Sequence, residues 1–450
     1  MTLPSFSWKD VAQHNKADDA WISIDGNVYD VSAWKSSHPG GVDILLIAAG
    51  RDCSILFKTY HSDAVYSLLP KFLIGTLRDR ELPEFAAAAQ TPFYSTLRRR
   101  LDEYFVSQQL NSKNNVWIWL RYVCIGVAVL GCSALLLSAG AGHSWLFGLL
   151  VSVVQGFACA MVGLMPMHDA SHFSVTKSPV VWKVLAHMHD FLNGASSLIW
   201  TYQHILGHHP YTNVEGADPD IDTAEHDVRR IKASQKWYSH YLLQHAYAPV
   251  LYGLLAWKTR LQDIYMLHVA KTDGAIRIND PSPSQLALFW AGKATWFVYR
   301  VLVPMAVYGA ARTFVYLTVA DLVVSYWLAL TFQANHVVEE VQWLKADKNN
   351  QIHVDWAVAQ LQTTQDYAHL NRFWTISTGA LNYQSTHHLV PKIHQYYYPQ
   401  IAPIIQKTAA EFGVKYLCKE TFSDALGSHL GYLHYLGHNM DQKGKAGKQA

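Results

Sequence analysis

Residues 145–172 read WLFGLLVSVVQGFACAMVGLMPM-HDASH: an apolar run over 145–167 that ends directly on His168 and His172. The run is long enough to cross the hydrocarbon core of a bilayer as a helix. The two histidines lie four residues apart, so on a helix they share one face. Neutral imidazole is the commonest transition-metal ligand. This stretch therefore predicts a transmembrane helix that brings metal ligands to one face of the membrane.

Three further apolar runs have a similar length, and they cover residues 117–141, 285–310 and 313–333. Half of the chain is hydrophobic and only 16% is charged, which is low for a soluble protein of this size. The sequence thus predicts a mainly α membrane protein with four transmembrane helices. The apolar stretch Tyr247–Trp257 is too short to span a bilayer, and it predicts an interfacial helix.

The distribution of Lys and Arg predicts the topology. No Lys or Arg lies in 141–144, between the first two runs, and Arg312 is nearly alone between the last two, whereas 168–284 is rich in both. The positive-inside rule then places 1–116, 168–284 and 334–450 in the cytosol, so that both termini are cytosolic.

Charge and cysteine content exclude other classes. A net charge of +2 gives no reason to expect nucleic-acid binding. The five cysteines form no Cys-x-x-Cys pair, so their spacing favours neither a set of disulfides nor a zinc site. Such cysteine usage is typical of a protein in a reducing compartment. The first 30 residues show no signal-peptide pattern, so we expect the first apolar run to be the membrane anchor.

Seven histidines form three short clusters, all predicted on the cytosolic side. They are His168 and His172; His204, His208 and His209; and His387 and His388. Among 24 histidines a single pair spaced by four residues is usually structural, but three such clusters on one side of the membrane favour a shared metal site. Seven ligands are too many for one tetrahedral zinc ion and suit two ions of higher coordination, for which iron is the best candidate.

Other polar residues near the clusters are weaker candidates. His336, which follows the fourth run, is predicted as an eighth histidine ligand, and Gln384 can bind metal through its amide oxygen or hydrogen-bond a bound water. His187 and His189 lie between the first two clusters, and His143 is expected to be inert on the far side. Candidates to orient imidazoles, which could equally be ordinary caps or turns, are Asp169, Asn213, Asp218 and Asn382.

Residues 1–77 predict a small α+β domain. Trp21–Val31 forms a predicted hairpin around Asp25-Gly26-Asn27, and helical segments are expected over Ile44–Ala49 and Ile55–Leu69. His38, in the turn His-Pro-Gly-Gly, and His61 can clamp a haem from both faces. Ligation by two histidines leaves no open iron position, so such a haem carries electrons.

With Val28-Tyr-Asp-Val31, Tyr60-His-Ser62 and Ile74-Gly-Thr-Leu77, this pattern resembles the cytochrome b5 domain across residues 5–77. Beyond it we expect a linker and basic cytosolic flank over 78–115, and a membrane domain over 116–440 whose cytosolic helical cap holds the dimetal site. A disordered tail is expected over 441–450.

An electron-carrying haem fused to a dimetal centre at a membrane points to oxidative chemistry on an acyl chain. The chain resembles the front-end fatty acyl desaturases with a fused cytochrome b5 domain, in which a glutamine, here Gln384, replaces the first histidine of the third cluster. The resemblance covers about residues 5–435 and is closest to fungal Δ5 desaturases of the Mortierella type. It is carried by residues 156–160, 168–176, 203–213, 216–220, 228–232, 333–341 and 363–369, together with the third cluster. Val390, where many relatives have Phe, departs from the pattern but is not a ligand.

The resemblance implies two irons and haem b as cofactors, with O2 as co-substrate and cytochrome b5 reductase as the electron source. It implies an endoplasmic reticulum location and a Δ5 cis double bond placed in C20 chains that already carry a Δ8 bond. The substrates would be dihomo-γ-linolenate and eicosatetraenoate, giving arachidonate and eicosapentaenoate. Whether the chain is carried by coenzyme A or by a phospholipid stays open, as do the oligomeric state and the assignment of each histidine to an iron.

Three alternatives remain at this point. A di-iron lipid hydroxylase would use the same ligands and the same haem, and a Δ6 desaturase would differ only in packing along the acyl chain. A metal transporter would need ionisable residues inside the spans. Asp321 and Arg300 are the candidates there, and we expect both near span ends.

Overall fold

A computed structural model describes residues 3–86, 92–221 and 226–439. Four of its helices are long and apolar enough to cross a membrane, in agreement with the four predicted spans. We call them spans 1 to 4, and they cover Val116–Leu136, Trp145–Ser171, Pro283–Tyr308 and Ala310–His336. The predicted disordered tail, 441–450, lies outside the described residues.

The ends of the spans differ from the ends of the apolar runs. Span 1 stops at Leu136, and a separate short helix, Ala139–His143, follows it. Spans 3 and 4 are joined through the single residue Gly309, whose φ of 84° lies in the left-handed region, so Arg312 belongs to span 4. Span 4 continues to His336, because polar residues at its end still form helical hydrogen bonds.

Two spans contain short π-helical segments next to a proline. In span 2 the segment Gly163–Met167 contains Pro166, and in span 3 the segment Val298–Leu302 directly precedes Val303-Pro304. Proline has no N–H to donate, so the regular i to i−4 ladder cannot continue through it unchanged. In span 2 this irregular turn immediately precedes His168.

Spans 2 and 4 approach each other closely at two glycines. A Cβ on Gly156 would lie 2.4 Å from the carbonyl oxygen of Ala320, and one on Gly148 would lie 2.0 Å from the Tyr316 ring. Small residues allow such close backbone contact between membrane helices. The paired ends of these two spans carry His168 and His336, so this packing positions the site.

Asp321 lies well inside span 4 and is buried, which corrects the expectation that it lies near a span end. Its carboxylate accepts two hydrogen bonds from Arg260, at 2.6 and 2.9 Å. Arg260 belongs to the helix Leu255–Tyr265 and also lies over the Trp296 ring, 4.1 Å from its centroid. The charge in the span is therefore paired within the protein, as a structural ion pair.

Removing one partner of this pair is expected to be costly, because the other charge would stay buried and unpaired. We expect Asp321→Ala to lower the free energy of unfolding by about 3–5 kcal/mol, seen as a lower Tm in detergent. The control is Asp280→Ala, which breaks the surface pair with Lys271, where the Asp280 side chain is 91% exposed. Equal Tm values for the two variants would contradict this role for the pair.

The N-terminal domain is built on one sheet. In order across the sheet the strands are Ser5–Phe6, Leu73–Leu77, Asn27–Asp30, Asp19–Ile24 and Asn15–Lys16, with Arg51–Asp52 beside Asp19–Ile24. The helices are Trp8–Gln13, Val42–Ala48 and Ser54–Tyr60, with 3-10 turns at Lys35–Ser37 and Asp63–Lys71.

This domain matches its predicted elements with one difference. Ile24 pairs with Asn27 across a tight turn in which Asp25 and Gly26 have φ of 49° and 75°, as the hairpin prediction requires. The predicted second helical segment, Ile55–Leu69, is interrupted at His61, which adopts an extended conformation. That break turns the His61 side chain out of the helix.

The segment predicted as a linker contains regular structure. The strand Glu84–Ala86 pairs with Gln351–Asp355, and Phe93–Ser107 is a helix. Its buried residues Phe93, Leu97 and Leu101 repeat every four residues and pack in one core with the helix Tyr398–Glu411. The linker thus ties the N-terminal domain to the rest of the chain.

Short helices and strands between and after the spans form a cap over one end of the bundle. After span 2 come the helical segments Pro179–Met188, His189–Asn193, Ser197–Trp200, Thr201–His208, His209–Tyr211, Ser239–Leu243, Gln244–Tyr252, Leu255–Tyr265 and Met266–Ala270, then the strands Thr272–Asp273 and Ile276–Arg277. After span 4 come Gln351–Asp355 (strand), Trp356–Gln362, Asp366–Tyr367 (strand), Arg372–Ser377, Leu381–Tyr383, Gln384–Leu389, Gln395–Tyr397, Tyr398–Glu411, Cys418–Lys419 (strand) and Phe422–His438. The predicted interfacial stretch, Tyr247–Trp257, spans two of these helices, which meet at Gly253 and Leu254 and expose Val250, Leu254 and Leu261.

Candidate metal centre

All eight predicted histidines meet at one end of the span bundle. His168 lies at the end of span 2, His172 directly follows that span, and His336 ends span 4. The π-helical segment Thr201–His208 contains His204 and His208, and His209 follows it. The helix Gln384–Leu389 contains His387 and His388. All eight side chains are buried. Residues more than 200 positions apart in the chain thus form a single imidazole cluster.

The cluster contains two adjoining groups made of histidine alone, and a third group, His204, His208 and Asp220, overlaps them. In the first, one nitrogen from each of four imidazoles lies within 4.8 Å of the others; its members are His168, His172, His204 and His387. The second group, by the same criterion, is His208, His336 and His388. His209 lies between them, with its ring centroid 4.4 Å from that of His172 and 4.4 Å from that of His388. This is the arrangement expected for two neighbouring ions.

Several imidazole nitrogens in the cluster are buried without a hydrogen-bond partner. They are Nε2 of His168, His172 and His387, and Nδ1 of His204, His209 and His336. A buried polar atom left unsatisfied costs about 1–3 kcal/mol, so such a concentration calls for a ligand. Bound cations would satisfy these nitrogens, so the residues present fit a dimetal centre.

Four imidazoles form a hydrogen bond through Nδ1, the ring nitrogen on the other side of the ring from Nε2. Nδ1 of His208 donates to Asp218 at 2.9 Å, and Nδ1 of His388 donates to the Gln360 oxygen at 2.9 Å. Nδ1 of His387 is hydrogen-bonded to the Tyr398 hydroxyl at 3.2 Å, and Nδ1 of His172 to the Tyr60 hydroxyl at 2.8 Å. The oxygens of Asp218 and Gln360 can only accept, so they fix the proton on Nδ1 and leave Nε2 available for a metal; the tyrosine hydroxyls do the same when Nδ1 donates to them.

The protonation state suits metal binding for most of these rings. Burial, followed by the neighbouring imidazoles, holds the pKa of His172, His209 and His387 well below the usual histidine value, so they are neutral at physiological pH. His208 differs: burial lowers its pKa, but the carboxylates of Asp218 and Asp220 outweigh burial and raise the pKa to about 9. An ion binding at His208 must therefore displace a proton from Nε2.

Gln384 points its amide nitrogen into the second group. Its Nε2 lies 2.9 Å from Nε2 of His336 and 3.2 Å from Nε2 of His388. Its oxygen accepts from Asn335, whose amide is itself oriented because it donates to the Leu381 carbonyl. In this orientation the amide nitrogen of Gln384 faces the second group as a hydrogen-bond donor, and its oxygen faces Asn335.

A second candidate site lies in the N-terminal domain, where His38 and His61 face each other with ring centroids 6.2 Å apart. Nδ1 of His38 donates to the Gly41 carbonyl and Nδ1 of His61 to the Phe57 carbonyl, both at 3.3 Å, which leaves both Nε2 atoms free. A Cβ on Gly40 would lie 2.6 Å from the His38 ring, so glycine is required there. Burial lowers the pKa of His61 to about 4, which keeps it neutral as a metal ligand must be.

Two family profiles match the chain: "Fatty acid desaturase" over residues 143–419 and "Cytochrome b5-like Heme/Steroid binding domain" over residues 7–78. An acyl-lipid (8-3)-desaturase of Mortierella alpina is 49% identical over 96% of this chain and 97% of its own length. The chain belongs to the fatty acid desaturase family.

Other members of the family are also similar to this desaturase. A Delta(5) fatty acid desaturase A of Dictyostelium discoideum is 35% identical over 98% of the chain and 96% of its own length. An sn-1 linoleoyl-lipid 6-desaturase of Synechocystis is 30% identical over 77% of the chain and 95% of its own length. The desaturase is a front-end member with a fused cytochrome b5 domain, and its cofactors are haem and a di-iron centre. Family membership is evidence against the metal-transporter alternative.

The weaker histidine candidates lie outside the imidazole cluster. His187 bonds Asp190 at 3.1 Å, and His189 bonds Asn193 at 3.0 Å. His143 precedes span 2 and is therefore at the opposite end of that span from His168. These three have local partners or lie at the other end of span 2, so they are not part of the imidazole cluster.

Of the four residues predicted to orient imidazoles, Asp218 contacts a cluster ring. Asp169 instead accepts from Tyr122 at 2.6 Å and pairs with His394 at 3.1 Å. Asn213 donates to the His336 carbonyl, and Asn382 donates to the carbonyls of Tyr367 and Ala368, so both support backbone. Sequence reasoning missed Tyr60, Gln360 and Tyr398 as partners of imidazoles, because each lies in a different element from the histidine that it contacts.

Asp218 provides a direct test of how His208 is held. We expect Asp218→Asn to lower desaturase activity about 10–100-fold, because the neutral amide no longer holds the His208 ring in the tautomer with Nε2 free. Activity and non-haem iron content should be measured together, with Asp280→Asn, at an exposed carboxylate, as the control. Wild-type activity in Asp218→Asn would show that this contact does not matter.

Proposed function

We propose that this desaturase introduces a Δ5 cis double bond into C20 polyunsaturated acyl chains of lipids that already carry a Δ8 bond. Conversion of dihomo-γ-linolenate to arachidonate and of eicosatetraenoate to eicosapentaenoate would be its reactions. The observation that carries the chemistry is the pair of adjoining imidazole groups with unpartnered buried nitrogens. The position of the bond rests on the names of the relatives, an acyl-lipid (8-3)-desaturase and a Delta(5) desaturase.

We assign the first group of imidazoles to one iron and the second to the other. His209 is placed to serve either ion, since its ring lies equally near His172 and His388. His38 and His61 are assigned as the two haem ligands. Gln384 is assigned as a hydrogen-bond donor to an acceptor at the second iron, because its amide nitrogen is the atom that faces His336 and His388.

When bound, a di-iron pair supplies the oxygen-dependent oxidation needed to remove two hydrogens from neighbouring methylenes of an acyl chain. The residues of the chain hold that pair and keep bulk water from it. Burial of all eight imidazoles excludes solvent, and the bonds to Asp218, Gln360 and Tyr398 keep three rings oriented. Because these rings do not have to reorient during the reaction, the activation free energy is lower, which is the usual role of such supporting bonds.

One substitution distinguishes Gln384 as a hydrogen-bond donor from Gln384 as a metal ligand. We expect Gln384→Ala to lower activity sharply while non-haem iron is retained and the protein stays in the membrane, because only a hydrogen-bond donor is lost. Product formation in yeast fed the substrate and iron content of the purified protein measure the two effects. Full desaturation would refute a role for Gln384, and loss of iron would make it a ligand.

We further propose that the protein resides in the endoplasmic reticulum membrane, with both termini and the imidazole cluster on the cytosolic side. The Lys and Arg distribution supports this orientation. It would place the haem domain where a cytochrome b5 reductase can reduce it.

A feeding experiment tests the proposed activity. Yeast expressing the full chain would be supplied separately with dihomo-γ-linolenate, eicosatetraenoate and linoleate, and double-bond positions in the products determined by mass spectrometry. The proposal predicts new Δ5 bonds in the two C20 acids. A Δ6 bond in linoleate would favour the alternative that the similarity to the Synechocystis 6-desaturase raises, and a hydroxylated product would favour a di-iron hydroxylase.

A further inference from the structure

Two adjacent residues at the end of one helix face the two candidate sites. The helix Ser54–Tyr60 ends at His61, whose ring faces His38 across the haem slot. The preceding residue, Tyr60, has its hydroxyl 2.8 Å from Nδ1 of His172, a member of the first imidazole group. One peptide bond and one hydrogen bond therefore connect the haem slot with the imidazole cluster.

The Tyr60 side chain is held in this position. Its ring packs edge-on against the ring of Phe173, the residue that follows His172 in the chain, with the two ring centroids 5.3 Å apart. The contact is thus fixed by packing as well as by the hydrogen bond.

The helix that carries Tyr60 is itself anchored to the membrane domain. Arg98, from the helix Phe93–Ser107, donates to the carbonyls of Lys58 and His61 and to the Asp63 carboxylate, at 3.4, 3.1 and 3.1 Å. Lys58 forms an ion pair with Asp355 at 3.8 Å, and the Asp355 side chain is nearly fully buried. These bonds hold the carboxyl end of the helix over the cluster.

A second set of contacts, to Arg277 and Asn279, anchors the same domain. Arg51 donates to the Arg277 carbonyl at 3.0 Å, Arg277 donates to the Gly50 carbonyl at 2.7 Å, and Asn279 donates to the Ala49 carbonyl at 3.0 Å. The domain is therefore held at two places, which suits a fixed distance between the haem slot and the cluster.

We propose that Tyr60 is the positioning residue that couples the haem to the dimetal centre: its hydrogen bond to His172 is the route by which electrons from the haem reach the irons. This inference rests on the proposed function. Electron transfer through bonded atoms and a hydrogen bond is faster than transfer across a gap, and this route crosses no gap larger than the 2.8 Å bond. Tyr60 itself is not oxidised in this scheme.

The electrons balance over one double bond. Dioxygen takes four electrons and four protons to give two waters. Two electrons and two protons come from the two C–H bonds that are broken as the C=C bond forms. The other two electrons arrive singly, each oxidising one ferrous haem, and two protons come from solvent.

The test uses the full-length purified protein and Tyr60→Phe, which removes the hydroxyl and keeps the ring against Phe173. The haem and the dimetal centre are reduced anaerobically with dithionite to three electrons per chain, and the protein is then mixed with oxygen and lipid carrying the acyl substrate. One double bond takes two of these electrons, and the later reoxidation of the haem by the oxidised dimetal centre is followed by its visible spectrum. We expect reoxidation to be at least about 10-fold slower, the lower end of the effect of losing a hydrogen bond to a metal-binding imidazole. The haem spectrum, the non-haem iron content and the product formed per haem oxidised are expected to stay unchanged.

The matched control is Tyr104→Phe, a tyrosine of the helix Phe93–Ser107 whose hydroxyl bonds Gln400 and not the cluster; it should reoxidise at the wild-type rate. An unchanged rate in Tyr60→Phe would overturn the proposal. Loss of non-haem iron, or less product per haem oxidised, would also overturn it, since Tyr60 would then only support His172. If the wild-type protein reoxidises its haem without forming a double bond, the proposed function is what fails.

Discussion

Replacing His387 with alanine is expected to abolish desaturation while leaving the haem domain intact. The His387 side chain is fully buried, and its ring lies 4.6 Å from that of His168 and 4.7 Å from that of His172, measured between centroids. Its Nε2 has no other partner. Alanine would remove one of four nitrogens in the first group and leave a cavity that the surrounding imidazoles cannot close.

Three measurements on His387→Ala separate loss of metal from loss of fold. Product formation in yeast fed the substrate should fall below detection, non-haem iron per chain should fall, and the haem spectrum should match the wild type. The control is His353→Ala, at a surface histidine whose side chain is 78% exposed and pairs with Asp347. Substantial product from His387→Ala would contradict the assignment of this residue to the iron site.

Replacing His61 with alanine is expected to remove haem and with it all activity that depends on the internal electron carrier. The two free Nε2 atoms of His38 and His61 are the groups available to hold the iron from both faces, and neither can replace the other. The haem absorption bands should be lost, whereas the non-haem iron content should remain, since the imidazole cluster is built from other segments.

A histidine elsewhere in the same domain provides the control. The His14 ring stacks on the Trp21 ring, and its Nδ1 is hydrogen-bonded to the Asp19 carboxylate at 2.6 Å. Both partners belong to the strand Asp19–Ile24. His14→Gln should keep the haem spectrum and the activity of the wild type. Haem retained in His61→Ala, with its normal two-histidine spectrum, would show that another residue is the ligand.

Much of the architecture could be predicted because the signals are local. Apolar runs of spanning length predicted four helices, and the four-residue spacing of His168 and His172 predicted a shared helix face. The turn around Gly26 predicted the hairpin, which the structure contains. These features depend on hydrogen bonds and side-chain contacts within a few residues, so a sequence shows them directly.

Features that depend on tertiary packing were missed or misplaced. Apolar composition did not show that span 4 starts at Ala310, because that end is fixed by the backbone turn at Gly309. The helix Phe93–Ser107 was overlooked although Phe93, Leu97 and Leu101 repeat every four residues, since charged neighbours masked the stripe. The orientation of the Gln384 amide depends on Asn335, which is 49 residues away in the chain.

The distant partners of the imidazoles show the same limit. Tyr60 is 112 residues from His172, and Gln360 is 28 residues from His388. No spacing rule connects such pairs, whereas the clusters themselves follow from helical periodicity. The sequence therefore indicated the eight histidines that the fold brings together, but of the contacts that hold their rings it indicated only Asp218.

Iron per chain, measured by elemental analysis beside haem quantified by its pyridine adduct, shows whether the imidazole cluster holds two irons. We expect about three irons for each chain, one in haem and two in the imidazole cluster, the number that two adjoining nitrogen-rich groups can hold. We expect about one iron, all of it haem, when His172, His208 and His387 are replaced together. Wild-type protein that desaturates its substrate with haem as the sole source of iron would contradict the assignment of a dimetal centre to this cluster.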